Sequence, residues 1–287
     1  MERRKILVQL DTDPQPSVFD AVVAVDSHVD QLFRHSNITP ENVVGLVHGA
    51  IFTRGPEELH YTALFIGGSD VVAAEGVFRA VKKAFFGPMR VSVLFDPNGA
   101  NTTAAAAVLA AGKHVPLAGA TATVLAATGP VGQRAVRLLA REGAIVRVAS
   151  RTVERAQAVI DAVRARVPEA VLIPVATGND AQTAAALDGA SVVIAAGAAG
   201  ATLVSEEVLK SCHSLRVAID LNAVPPAGIV GIGVMDKAKQ LGELTVYGAI
   251  GVGGTKMKIH KHAVRSLFEA NNKLLDAEEL YEIGRGV

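Results

Sequence analysis

Short apolar runs alternate with longer segments of helical spacing along this chain. Ile6–Leu10, Ala63–Ile66 and Arg90–Phe95 read as buried strands. Between and after them, Val18–Ser27, a segment opening at Thr39-Pro40, Val71–Phe86 and Asn101–Leu109 carry helical spacing or helix-start signals. Ser17 and Thr39 stand where capping residues stand, and Val29–Phe33 reads as a further short helical stretch. The second half alternates more cleanly. Thr123–Ala127, Ala144–Ala149, Ala170–Val175, Ser191–Ala196 and Arg216–Leu221 are five strand candidates, with helices over Val131–Arg141 and Thr152–Arg166. Strand–helix alternation of this kind predicts an α/β fold with mainly parallel sheets. Beyond Asn222 the chain turns Gly- and Pro-rich, then predicts a long helix over Thr255–Asn271 and a short acidic one over Asp276–Glu282.

At about 150 residues per domain, 287 residues suggest two domains. Charge and Gly/Pro interrupt the apolar pattern near Lys113–Gly119. That places one domain over 1–115 and a second over 116–254, with helices in 255–287 packing back on the first.

Composition narrows the function. The 28 basic and 28 acidic residues cancel, which removes the electrostatic footprint of a nucleic-acid binder. A single cysteine, Cys212, excludes an internal disulfide framework and reads as a small buried residue. No apolar run approaches the length of a membrane span, and the first residues turn acidic too soon for a secretory signal. The expectation is a cytoplasmic protein without membrane or nucleic-acid partners. His260 and His262 stand two apart on a predicted helix and face different ways, and neither they nor His48 complete a zinc pattern, so no metal is expected.

The most specific chemistry is a glycine turn. Ala127-Thr128-Gly129-Pro130-Val131-Gly132 follows a strand and opens a helix, a variant of G-x-G-x-x-G with alanine in the first position. Gly129 would let a pyrophosphate approach the backbone, and Gly132 would let helix and strand pack closely. Pro130 gives up only an N–H that a helix start leaves unpaired anyway. At the end of the next strand an NAD enzyme places a carboxylate on the ribose 2′-hydroxyl. Here the residues are Ser150 and Arg151, with Arg155 one turn on. A hydroxyl and guanidinium groups suit a 2′-phosphate, so the expected cofactor is NADP. Ala196 lies in a small-residue turn after a later strand, and Asn222 ends the last one. Both stand where the cofactor would pass, Asn222 to bond nicotinamide or substrate, while the turn at Ala196 reads equally well as a simple loop. Asp220 has a structural reading as an acceptor.

Taken together, Lys5-Ile-Leu-Val-Gln-Leu-Asp-Thr-Asp-Pro-Gln-Pro-Ser-Val-Phe-Asp20, Phe95-Asp-Pro-Asn-Gly-Ala-Asn-Thr102, Ala127–Gly132, Ala149-Ser-Arg-Thr152 and Gly251-Val-Gly-Gly-Thr-Lys256 resemble the bacterial methylene-tetrahydromethanopterin dehydrogenases of one-carbon metabolism. The resemblance spans the chain. It implies an N-terminal α/β pterin-binding domain, a Rossmann-type doubly wound parallel sheet, an active site in the cleft between them and a homo-oligomer. The Ser-Arg pair is similar to that of the NADP-dependent methylotroph members, which also act on methylene-tetrahydrofolate; relatives that accept NAD are the nearest confusion. The implied reaction moves a hydride from the methylene carbon to nicotinamide. Two flanking nitrogens stabilise the cation left behind, so no catalytic triad is needed, and none is visible. The protein's task is positioning and water exclusion.

On this reading Lys256 binds or orients the pterin tetrahydromethanopterin or tetrahydrofolate, because a cation at a predicted helix start is otherwise unfavourable; the alternative is a surface lysine. Asp13 and Asp20 flank a Pro-rich turn at a strand end, and Asp20 suits the amino-pyrimidinone edge of a pterin or simply a first helical turn. Asn98 and Asn101 either contact substrate or serve turn and cap. Two other functions fit less of the sequence. A shikimate-dehydrogenase-like oxidoreductase needs a Lys–Asp acid/base pair, and a non-catalytic NADP sensor would bind cofactor without turnover.

Overall fold

The computed structural model describes residues 3–287. The chain divides into two compact units. One runs up to Thr102 and resumes at Met257–Val287, and the other is Thr103–Lys256. The sequence places its first boundary at 115/116. The observed division falls earlier because Asn101 and Thr102 are hydrogen-bonded to Asp96, in the last strand-end loop of the first unit.

The first unit is built on a five-stranded parallel sheet in the order β12-β4-β3-β1-β2. Its strands are β1 (Ile6–Asp11), β2 (Gln31–His35), β3 (Thr62–Gly67), β4 (Ser92–Phe95) and β12 (Leu274–Leu275). The helices are α1 (Val18–Asp26), α2 (Val43–Phe52), α3 (Val71–Ala84) and α10 (Ala277–Arg285), while α4 (Ala100–Gly112) begins in this unit. Leu10, Leu64, Ile66 and Val93 are fully buried in a core shared with Val47, Ile51, Val77 and Val81. Caps set the helix ends: Ser17 accepts from Asp20 N, Asp70 from Val72 N and Ala73 N, and Asp276 forms a capping box with Glu279.

One expected element changes type. Val29–Phe33 is not helical, since Gln31–His35 is β2, paired with β1 from Ile6↔Gln31 to Leu10↔His35. It is an edge strand with little apolar burial, so it lacks the alternation that marks a half-buried strand. His28, at φ 63°, ends α1 and turns the chain into it.

The second unit carries seven strands in the order β10-β11-β9-β8-β5-β6-β7. They are β5 (Thr121–Leu125), β6 (Ile145–Ser150), β7 (Leu172–Ala176), β8 (Val192–Ala195), β9 (Val217–Asp220), β10 (Lys239–Leu241) and β11 (Leu244–Tyr247). All pairings are parallel except the β10–β11 hairpin, two strands beyond the five expected. The helices are α5 (Pro130–Arg141), α6 (Val153–Arg164), α7 (Asp180–Leu187) and α8 (Glu206–Ser211), and α9 (Ala249–Ser266) begins in this unit. The central strands β8 and β9 are buried at every position, as parallel strands covered on both faces are.

The long helix α9 begins six residues before the expected start, at Ala249. The reason is tertiary. Gly248 N donates to Asp236 O and Ile250 N to Val234 O, so the loop before β10 satisfies the helix start. A Cβ on Gly251 would lie 1.8 Å from Asp236 O, and one on Gly248 would lie 2.1 Å from Gly233 O. The first glycine of the run is therefore a packing contact, whereas Gly253 and Gly254 face nothing within 4 Å. Gly251→Ala should cost about 1–3 kcal/mol through backbone displacement. Gly253→Ala should be neutral or gain about 0.5–1 kcal/mol from helix propensity. Urea unfolding of the two variants separates these signs.

Candidate functional site: a dinucleotide cradle and a strand-end carboxylate cluster

In the second unit the carboxyl ends of β5, β6, β8 and β9 carry the expected residues. After β5 the chain turns at Ala126, which takes the left-handed conformation at φ 52°, and Gly129 N closes the turn on Ala126 O at 3.2 Å. The left-handed position is thus Ala126. Ala127 has no positive φ, which is why alanine serves in the place of the first fingerprint glycine. Gly129 is the N-cap of α5 and Pro130 its first residue, so the backbone N–H groups of Val131 and Gly132 lie in the helical turn that lacks intrahelical acceptors. Thr128 O accepts from the Gln133 amide at 2.8 Å, bracing the turn.

Gly132 has no room for a side chain. A Cβ there would lie 2.7 Å from Ala127 Cα and 2.9 Å from Ala126 O. Gly129 faces open space bounded by Ala126 O and Ala196 O, each 3.7 Å from its Cβ position. The turn and Ala196 are therefore brought together, and Ala196 N is held by Leu125 O. The N-terminus of α5 and its glycine turn form a cradle of the kind that takes a pyrophosphate.

Ser150 ends β6, buried, with its carbonyl accepting from Thr177 N and Oγ1. Arg151 follows, exposed, and Thr152 caps α6 by accepting from Arg155 N. Ser150, Arg151 and Arg155 thus cluster at one strand end. Glu154 shares that first helical turn. Backbone and Thr152 hydrogen bonds hold its carboxyl below the usual glutamate range, as befits an acid at a helix start.

Asn222 takes a different role from the one its position suggests. It is buried, its amide donates to Pro226 O at 2.7 Å, and its Oδ1 accepts from Val224 N at 3.0 Å. The side chain braces the loop after β9. Asp220 is a structural acceptor: Oδ1 takes Asn222 N and Oδ2 takes Ile229 N, and Gly228 sits against it.

In the first unit the same edge of the sheet gathers carboxylates. Asp11 is fully buried and accepts from Asp13 N, Ser17 N and the Gln9 amide. Gln9 in turn receives the Arg34 guanidinium. Asp13 bonds Ser69 through its backbone N and hydroxyl, tying the β1 loop to the β3 loop. Asp20 is half-buried beside Gly67, where a Cβ would lie 3.6 Å from its Oδ2 and 3.3 Å from Asp11 Oδ2. Next to them His260, buried, stacks on Phe65 at 5.8 Å, and Phe19 lies 6.3 Å from His260 with half its surface exposed.

The asparagines separate. Asn98 is exposed at φ 53° in a tight turn. Asn101 is fully buried and donates to Phe95 O and Asp276 Oδ1, so it fastens α10 rather than facing a ligand. Lys256 is half-buried, the eighth residue of α9, so it is not at a helix start. No helix-start dipole disfavours a cation at this position, and any ligand role rests on its place beside the open Gly253 and Gly254. Among the described residues no group of three or more His, Cys, Asp or Glu could hold a metal ion, and no helix is long and apolar enough to cross a membrane. Sequence reading missed Phe19 and the buried Asp11. The Asp-x-Asp-Pro spacing after a strand was the available signal for Asp11.

The second unit, with its parallel sheet, glycine turn and helix N-terminus, is a Rossmann-type dinucleotide-binding fold. The chain shares its overall fold with quinate dehydrogenase from Corynebacterium glutamicum, at a TM-score of 0.54 and 15% identity over 99% of this chain and 100% of that one. A 5-ketofructose reductase of Gluconobacter sp. is similar, at 0.55 and 13% over 99% of both chains. Residues 18–98 match the family model "Methylene-tetrahydromethanopterin dehydrogenase, N-terminal". Two relatives from Methylorubrum extorquens align over nearly the whole chain. "Bifunctional protein MdtA" is 46% identical over 98% of both chains. An NAD(P)-dependent methylenetetrahydromethanopterin dehydrogenase is 33% identical over 98% of this chain and 97% of its own. The chain belongs to the methylene-tetrahydromethanopterin dehydrogenase family.

The cradle depends on backbone contact at one glycine. Gly132→Ala should force α5 away from Ala127, lower stability by about 1–3 kcal/mol and weaken dinucleotide binding together. Chemical denaturation and cofactor titration on the same variant test both.

Proposed function

We propose that this protein catalyses reversible hydride transfer from methylene-tetrahydromethanopterin, and from methylene-tetrahydrofolate, to NADP. The whole-length similarity to a methylenetetrahydromethanopterin dehydrogenase carries the pterin assignment. The cofactor assignment is supported by Ser150 and Arg151 at the end of β6, where no residue after the strand offers the ribose a carboxylate before Glu154 in the helix. The residues fit the cofactor: Gly129 leaves the α5 turn open, and Gly132 brings the helix against the strand. Thr128, Gly129, Val131 and Gly132 would hold the pyrophosphate, with Ser150, Arg151 and Arg155 on the 2′-phosphate and Ala196 alongside the ribose. Asn222 would act by shaping the loop.

Bound NADP supplies the hydride acceptor. The methylene carbon gives up a hydride, both electrons leaving with it, and the lone pairs of its two nitrogen neighbours stabilise the methenyl cation. No proton moves, so the chain's own groups bind, orient and exclude water. In the first unit Asp20 would take the amino-pyrimidinone edge, and Phe19 would offer a ring face beside His260. Asp13 and Asn98 would act through the loops they shape, and Lys256 would orient the substrate. We also propose a cytoplasmic homo-oligomer; an apolar stripe of Val18, Val22 and Val25, each more than half exposed on α1, supports the oligomer.

The reaction is tested by following NADPH absorbance with each methylene pterin, using NADP and NAD in parallel. Turnover with NADP is expected for both pterins. NADP binding without any turnover would favour the sensor reading instead. Replacing Ser150 and Arg151 by alanine removes charge-assisted bonds worth about 1.5–3 kcal/mol together at this strand end, where Arg151 is exposed. The KM for NADP should rise roughly 10- to 100-fold while that for NAD changes little. Equal losses for both cofactors would sink the 2′-phosphate assignment.

A further inference from the structure

The dinucleotide-binding unit has a cavity at the opposite end of its sheet. Its volume is about 460 Å³, within the range of small-molecule sites. Arg216 and Leu215 line it and immediately precede β9, whereas the cradle lies at the carboxyl ends of the parallel strands. The cofactor therefore does not account for this cavity.

Its floor is apolar. Leu215 is 3% exposed in the unit's core, and Leu209 and Leu244 pack against that core with part of their surface left on the cavity. Its charges are unequal in rigidity. Arg216, its side chain 49% exposed, donates from Nη1 to His213 O at 3.0 Å and Leu215 O at 3.2 Å, which ties one end of the guanidinium to the wall and leaves the other nitrogens to a ligand. The carboxylate facing it, Glu243, is at the hairpin between β10 and β11, 86% exposed and 3.6 Å away. An exposed pair at that distance is worth little and is readily exchanged. The other pair on the rim, Lys210 with Glu206, is more than half exposed on both sides. The fixed charge of the cavity is thus a cation whose present partner is displaceable, above an aliphatic floor.

We infer that this cavity is a second ligand site, taking a small amphipathic monoanion: an aliphatic chain against the leucines with its carboxylate on Arg216 in place of Glu243. Binding would be linked to release of the β10–β11 hairpin tip.

The protein supplies its own reporter, because its one cysteine, Cys212, lines the cavity. Burial pushes the thiol up, so alkylation by iodoacetamide is best followed at a pH of about 8.5 or above. The probe is hexanoate, for which a Kd on the order of 1 mM is expected for so few atoms. On full-length protein, hexanoate should slow alkylation saturably, roughly tenfold at ten times Kd. Hexylamine and hexanol should protect far less. Glu243→Gln, which removes the competing carboxylate, should tighten hexanoate several-fold, and Arg216→Gln should abolish protection. Protection by hexylamine equal to that by hexanoate, its persistence in Arg216→Gln, or its weakening in Glu243→Gln would overturn the proposal. So would the absence of any protection, or alkylation that slows with protein concentration alone, which would mark a face covered by a second copy. If Arg216→Gln melts early, the contrast between hexanoate and hexylamine on the unaltered protein and the Glu243→Gln shift decide the matter.

Discussion

Three carboxylates buried at the ends of parallel strands organise the loops on which everything else stands. Asp11 ends β1, Asp96 follows β4 and Asp220 ends β9, and each is at most 2% exposed. Each accepts from two backbone N–H groups of the chain that follows: Asp11 from Asp13 and Ser17, Asp96 from Asn101 and Thr102 in the first turn of α4, and Asp220 from Asn222 and Ile229. A buried charge is tolerated only when it is saturated with donors, and a loop at a strand end has N–H groups in need of acceptors. The two needs cancel. The outcome, in each unit separately, is a set of fixed loops at the strand ends of its sheet, where α/β proteins place ligands.

The second constraint is close backbone approach. At Gly132, Gly248 and Gly251 the chain passes so near another backbone segment that a methyl group would overlap it. Gly132 brings the α5 N-terminus over the β5 turn and so aims its N–H groups. Gly248 and Gly251 seat α9 on the loop of Gly233–Lys237, whose carbonyls serve the first helical N–H groups. The two helix starts in the same unit therefore differ in kind. At α5 no side chain caps the helix start, and at α9 a neighbouring loop supplies the acceptors.

A site of this type suits a reaction that moves two electrons and a hydrogen without a proton. Each unit carries groups of the kind that bind and orient: in the second, the helix-start N–H groups and the Ser150–Arg151 strand end, and in the first, the rings of Phe19, His260 and Phe65. The buried Gln9–Asp11 pair, reached by the exposed Arg34, is engaged within the first unit's own loops.

Sequence alone determined the strand–helix alternation, the glycine turn and the Ser150–Arg151 strand end, because these are local: each depends on period, cap or turn chemistry within a few residues. The tertiary structure decided the rest. Gln31–His35 became a strand only because β1 offered it an edge, five residues being too few to nucleate a helix. Gly251 entered α9 because a distant loop supplied acceptors to the helix start. Asn101 and Asn222 sit at strand ends where a ligand contact was the natural reading, yet their amides are taken by Asp276 and Pro226. Which partner satisfies a polar side chain is set by what the fold brings within 3 Å of it, and sequence spacing carries no record of that distance.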